Sequence, residues 1–282
     1  MGRDVNLVLA KREQMGYNRR LMVQYYLFLK SIFTQWDWGV GEQMYTGLSV
    51  WTVLMQKLPY TVLVKLYSIL FSIPLGLILG IFAALKKNRW QDHLISTLVV
   101  VFISVPSYVY AFVVQYVLCF KLGWFPLTLE SLNNASLFSW RMFVSMIPAI
   151  LSLGFGVVAG LARYTRAELS EVLTGDYMLL ARTKGLTKAQ AISRHAMRNA
   201  MVVILPMIIG EFIGIMGGSL IIESIFMIPG VGNLFITSIN VRDYNFFMAL
   251  IVFYTFIGLA SGIVIDISYG LIDPRIRMGS KK

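Results

Sequence analysis

Three features of this 282-residue chain predict an all-α, polytopic membrane protein. Hydrophobic residues make up 57% of it and charged residues only 14%, against about 25% charged in soluble domains. The apolar residues gather in five runs, each near the roughly 20 residues that a helix needs to cross a bilayer. The basic residues fall in alternate connecting segments, the pattern of lysines and arginines kept on the cytoplasmic side. The net charge of +11 would also suit a nucleic-acid partner, but the apolar content decides for a membrane.

The five expected spans are 61–85, 94–120, 142–162, 201–222 and 246–272. The second and third carry no charge, and the others carry one each: Lys65, Glu211 and Asp266. Segments 86–93, 163–200 and 273–282 together hold fourteen Lys or Arg, and the alternate loops 121–141 and 223–245 hold three. The first set is therefore expected in the cytoplasm, together with the C-terminus. That orientation leaves residues 1–60 outside, although they hold seven Lys or Arg. Within them Met22, Tyr26, Leu29 and Phe33 recur at helical spacing, with Trp36 and Trp38 following. Two readings stay open, a helix lying at the membrane interface and an ordinary packed external helix. Residues 61–282 form the expected transmembrane domain.

The longest internal loop is also ordered. Residues 176–183 read as a short helix with Asp176 favourable at its N-terminus. Gly185 can take the left-handed conformation that ends helices. Thr187 then opens a second helix, with Gln190 as its capping-box partner. Ala189, Ile192 and Ala196 share one face on a regular 3.6-residue repeat. Such a helix–glycine–helix needs a surface to pack on, and both the bilayer and a groove in a cytoplasmic partner satisfy the pattern.

Ala181 and Gly185, followed by His195, Ala196, Met197 and Arg198, resemble the cytoplasmic signature of binding-protein-dependent ABC transporter permeases. The general signature reads Glu-Ala-Ala, three residues, Gly, nine residues, Ile-x-Leu-Pro. Here only the last alanine matches well, and HAMRN replaces Ile-x-Leu-Pro. These departures are similar to the dipeptide, oligopeptide and nickel branch. Residues 223–253 (ESIFMIPGVGN onward) resemble that branch's external loop and start of the last span. Residues 266–277 (DISYGLIDPRIR) resemble its C-terminal end. Residues 15–33 (MGYNRRLMVQYYLFLKSIF) are similar to the external segment of the first permease subunit in peptide systems.

The resemblance implies a type I ABC importer permease fold, with coupling helices at 176–198 docking into a cytoplasmic ATPase. It points to Asp176, Ala181, Gly185, Leu186, Ala189, Ile192 and His195 as the coupling residues, with Leu186, Ala189 and Ile192 facing the ATPase groove. It also implies a second homologous permease, two ATPase subunits, an extracellular peptide-binding protein, and a peptide cargo in preference to nickel. ATP and magnesium would sit on the ATPases. This chain has no Gly-x4-Gly-Lys-Ser/Thr loop of its own, no His-Glu-x-x-His, and only His93 and His195 as histidines. No cofactor, metal site or catalytic residue is expected in it. Members of the family begin with one further span, so the sequence is expected to be a shortened form.

Glu211 lies mid-span, where an acid is costly and usually faces a cavity or a partner. Lining the passage and pairing with Lys65 both remain open. Glu223, at the start of the external loop, is the second candidate for the passage. Gly210, Gly214 and Gly218, and likewise Gly154, Gly156 and Gly160, form small-residue stripes suited to close helix packing. A secondary transporter or channel is the alternative from another class, and would have only Lys65, Glu211 and Asp266 for coupling.

Overall fold

The computed structural model describes residue 13 and residues 18–131 and 135–272. The beginning of the 15–33 motif and the basic tail 273–282, with the expected cytoplasmic C-terminus, lie outside the described residues. All regular structure among the described residues is helical, apart from two isolated β-bridges near residues 40–49.

Helix α1 (Leu21–Gln35) stops at Trp36, which takes the left-handed conformation and returns its N–H to Ile32. Of the stripe expected from its spacing, Met22, Tyr26 and Phe33 are exposed, and only Ile32 in the helix is buried. Trp36 meets Trp38 and Trp51 edge-on, with ring centroids 5.7 and 5.1 Å apart. The chain then makes a compact turn over residues 39–49 and enters α2 (Val50–Leu85), starting well before Thr61. Its 36 residues measure about 54 Å at 1.5 Å each, more than the hydrocarbon thickness of roughly 30 Å. Pro59 and Pro74 lie within it without ending it.

The second expected span is not one straight helix. Helix α3 (Trp90–Ser104) and α4 (Ser107–Val114, extended by a π-helical turn Gln115–Lys121) meet at 103°. The break has a local cause. Pro106 has no N–H to give the helix and disfavours helical backbone in the residue before it, and Val105 is extended (φ −87°, ψ 127°). A 15-residue arm covers only about 22 Å, so neither arm crosses alone.

Helix α5 (Trp140–Val172) is capped by Ser139, whose Oγ accepts the Met142 N–H at 3.3 Å. It forms the central post, with 56% of its most apolar stretch buried. Its closest neighbour is α2, and the approach depends on two glycines. A Cβ on Gly76 would lie 2.8 Å from Leu161 Cβ, and one on Gly80 would strike Thr165. Gly76 and Gly80 make this contact; of the stripes anticipated in α5 and the fourth span, Gly154 is also closely approached, its Cβ position 3.0 Å from Phe71 of α2, and so is Gly210, 3.1 Å from Ile265. Gly160 and Gly214 have no neighbour within 4 Å of a Cβ position.

Helices α6 (Asp176–Thr183) and α7 (Lys188–Ala191) form an elbow. A π-helical turn, Ile192–Ala196, joins α7 to α8 (Met197–Ile213), so residues Ala189–Gly217 form one membrane-length helix. It ends in a 3₁₀ turn at Gly214–Gly217 and a positive-φ Gly218 (φ 54°), short of the expected Ile222. Ser219 then caps α9 (Leu220–Ile225), which leads to α10 (Val231–Val241) and the last long helix, α11 (Tyr244–Ile272). Among the described residues four helices are long and apolar enough to cross, and counting the bent pair as one span makes five. Tyr60, Met142, Met146, Ile222, Phe226 and Ile228 belong to one core cluster, and α2 and α11 share another with α1 and α10.

Candidate functional site

The elbow has the punctuation expected of it. Gly185 sits at φ +82° with nothing within 4 Å of a Cβ position. Backbone handedness, not crowding, therefore calls for glycine there. The Leu186 N–H returns to the Ala181 carbonyl at 3.3 Å. Thr187 and Gln190 cap reciprocally: the Thr187 N–H reaches Gln190 Oε1 at 3.0 Å, and the Gln190 N–H reaches Thr187 Oγ1 at 3.3 Å.

The elbow's apolar side packs on its own chain. Met178, Ala181, Ala191 and Ala196 are buried in a cluster with Ala84 of α2 and Leu169 of α5. The expected groove set is thereby divided. Leu186 and Ile192 pack, half-buried, against this inner cluster, while Ala189 and His195 are exposed, as is Leu180. The cause is the π-helical turn, whose wider repeat brings Ala191 and Ala196, five residues apart, to the same side. A uniform 3.6-residue repeat had grouped Ala189 with Ala196. Asp176 stands exposed at the start of α6.

Near the end of α8, Glu211 Oε2 accepts from Lys65 Nζ of α2 at 3.0 Å. The same two side chains line a cavity of about 390 Å³. The two open readings of Glu211, ion pair and cavity wall, therefore coincide. Ser107 and Tyr110 from the head of α4, and Gly156 and Gly160 of α5, form other parts of the wall. The α5 glycines make room: a Cβ on Gly156 would stand 3.1 Å from Tyr110 Oη.

Glu223, expected on the passage, is instead buried behind its rim and is not part of this cavity's wall. Its Oε1 accepts from Thr61 Oγ1 at 3.0 Å and from the Ser219 N–H at 3.4 Å. Its Oε2 accepts from the Gly232 and Asn233 N–H groups at 2.8 and 3.2 Å. Side chains on Gly218 or Gly230 would collide with the carboxylate. Glu223 thus staples α2, α9 and α10 around the rim formed by Gly218 and Ser219. Burial pushes its carboxyl above the usual carboxylate range, and the four donors offset part of that rise.

Two further brackets escaped sequence reading. Asp92, fully buried at the start of α3, accepts both Nε and Nη2 of Arg166 from α5, the latter at 2.8 Å. It also accepts the Asn88 N–H at 2.9 Å. At the opposite end of the molecule, Asp243 Oδ2 accepts the N–H groups of Glu42, Gln43 and Met44 at 2.8, 2.8 and 3.1 Å. A helix-opening aspartate was the sequence signal in each case, but its distant partner had none.

A cavity with a charged wall set among membrane-length helices, one of which runs on into the elbow, is an arrangement suited to the membrane subunit of a transporter. The chain belongs to the family of binding-protein-dependent transport system inner membrane components, whose profile matches residues 76–278. It is a multi-pass inner-membrane permease subunit of that family. It is 34% identical over 261 residues to the dipeptide transport system permease protein DppB of Bacillus subtilis (strain 168), covering 93% of this chain and 81% of that one. It is 31% identical over 274 residues to the glutathione transport system permease protein GsiC of Escherichia coli (strain K12), covering 97% and 85%. The fold is shared with a chain of an amino acid ABC transporter crystallised with histidines (TM-score 0.57, 18% identity, 77% of this chain and 92% of that one). It is shared equally with one from the inward-facing MetNI methionine ABC transporter (TM-score 0.57, 15% identity, 77% and 97%).

Proposed function

We propose that this chain is one of two homologous permease subunits in an ATP-driven importer of dipeptides or oligopeptides. The observation that carries the reading is the continuity of α7 and α8: the second arm of the elbow and the Glu211-bearing cavity wall are parts of one helix. A displacement imposed on α7 is delivered to the cavity without an intervening hinge loop. The dipeptide and glutathione permeases to which the chain is similar support a peptide cargo over nickel.

In this reading two cytoplasmic ATPases bind ATP and magnesium, and one of them grips the outward surface of the elbow, around Asp176, Leu180, Ala189 and His195. Ala181, Gly185, Leu186 and Ile192 hold that surface rigid from behind. Chemistry at ATP belongs to those partners, and this chain contributes no catalytic residue. Residues 1–60 lie outside, where the exposed apolar stripe of α1 suits the membrane interface, and the C-terminus is cytoplasmic. An extracellular peptide-binding protein docks on the outer side, near α10. The outward apolar surface of α11, only 11% buried over its most apolar stretch, is left for lipid or the second permease.

Reconstitution of the chain with its second permease, ATPases and binding protein tests the reading. ATP-dependent uptake of labelled peptides of graded length, with nickel not accumulated, is the expected result. Uptake of nickel alone, or uptake without the ATPases, would reject it.

A further inference from the structure

We infer that the Lys65–Glu211 ion pair is a specificity device that opens only to a cargo carrying a positive and a negative charge, as a peptide with free termini does. This rests on the peptide-importer reading. The two charges meet at 3.0 Å on the cavity wall, one from α2 and one from α8. Both are partly accessible, with 16% and 31% of their side chains exposed. Among the described residues neither has a second hydrogen-bond partner. The contrast with Glu223 and Asp92 is informative, because each of those carboxylates is fixed by three or more donors. A structural pair in a membrane is ordinarily tied down by its surroundings, whereas this one depends on itself alone and borders open space.

Separating such a pair strands two charges in a medium that solvates them poorly. A neutral cargo cannot make up that loss. A singly charged cargo satisfies one partner and leaves the other bare. A zwitterionic peptide satisfies both, its ammonium on Glu211 and its carboxylate on Lys65, and the number of ion pairs is conserved. The size is suitable: an extended dipeptide spans about 7 Å, and the cavity of about 390 Å³ falls within the ordinary range for small-molecule sites. Ser107, Tyr110 and Ser219 add polar groups to the wall, while Gly156 and Gly160 leave side-chain space empty.

The test uses the complete complex in liposomes with the binding protein brought to equal occupancy by three labelled dipeptides: unblocked, N-acetylated and C-amidated. Glu211→Gln is expected to raise the uptake ratio of N-acetylated to unblocked dipeptide by about tenfold or more, since only Lys65 then needs a partner. Lys65→Met is expected to do the same for the C-amidated peptide, and neither variant improves the other's cargo. Unchanged ratios in both variants, with the unblocked dipeptide still entering, would overturn the inference. Absence of ATP-dependent entry of any peptide into liposomes holding the unaltered complex would instead reject the peptide-importer reading itself. Should the single variants fail to assemble, the reversed pair Lys65→Glu/Glu211→Lys supplies two opposite charges again. It is expected to keep its preference for the unblocked dipeptide over both blocked forms, and equal entry of all three would overturn the inference.

Discussion

Asp243 and Met44 are 199 residues apart in the chain, yet the Met44 N–H donates to Asp243 Oδ2 at 3.1 Å in a buried setting. The Glu42 and Gln43 N–H groups share the same oxygen, and Oδ1 accepts the Phe246 N–H at 3.4 Å. One carboxylate therefore closes the turn before α2 and caps α11. Asp243→Ala leaves these donors without their acceptor, at a cost of about 1–3 kcal/mol per buried group left unsatisfied. A lowered midpoint of thermal unfolding in detergent, with faster proteolysis within 39–49, is the expected outcome.

Gly80→Ala drives a methyl group into Thr165 where α2 meets α5. Overpacking of this kind costs about 1–3 kcal/mol. The same change at Gly160, which has open space, should leave the unfolding midpoint nearly unaltered. Comparing the two proteins by thermal melt separates crowding from a general intolerance of alanine.

Arg166 and Asp92 form a second test of buried charge. Arg166→Ala leaves the Asp92 carboxylate buried and short of its chief partner, and the Arg166 side chain is itself a third exposed. Discounted for that exposure, the expected loss is about 2–3 kcal/mol. Asp92→Asn with Arg166→Met should recover part of it. A double-mutant cycle on unfolding free energies measures the coupling, and additivity of the two single changes would contradict it.

Gly185→Asp places a Cβ on a left-handed residue, a strain of about 1–2 kcal/mol, and tilts the elbow without touching the spans. ATPase co-purification or ATP-dependent uptake should be lost while the unfolding midpoint moves little. Normal ATPase association together with normal uptake would remove the elbow from the coupling path.

Glu223 makes stability depend on pH in a direction opposite to that of most acids. Its folded-state carboxyl titrates above the ordinary range. At low pH both folded and unfolded chains hold the proton. As pH rises from the ordinary carboxylate value through the raised one, the unfolded chain releases it first, and stability falls across that window. Glu223→Gln should remove this part of the pH dependence. Melts of both proteins at several pH values from 4 to 8 would reveal it, and parallel curves would count against the raised value.

Helix type and the elbow were legible because each rests on local chemistry: long apolar runs, Gly185 as a terminator, and Thr187 with Gln190 as a capping box. What escaped depended on distant parts of the chain or on small departures from a regular period. The break at Val105 was available in Pro106, but the run's continuous hydrophobicity outweighed it. The π-helical turn at 192–196 left no signal in composition, so Ala189, which is exposed, was grouped on one face with Ala196, which is buried. Glycines were visible as stripes, yet only packing could distinguish Gly76 and Gly80, which mesh with a neighbour, from Gly156 and Gly160, which border a cavity. Glu211 was recognised as a cavity or pairing residue from its cost in a membrane. Glu223, equally acidic and nearby in sequence, was placed on the passage because the four donors that hold it come from three different segments.

The meshing of α2 with α5 at Gly76 and Gly80 has a mechanical corollary. Two helices in near backbone contact have no cushion of side chains to shear, so they cannot glide past each other as looser pairs do. They are expected to act as a fixed mast, with rearrangement around the Lys65 charge coming from α8, whose helix is only 17% buried over its most apolar stretch. In that sense α8 is the door leaf, and the mast is the jamb on which it swings.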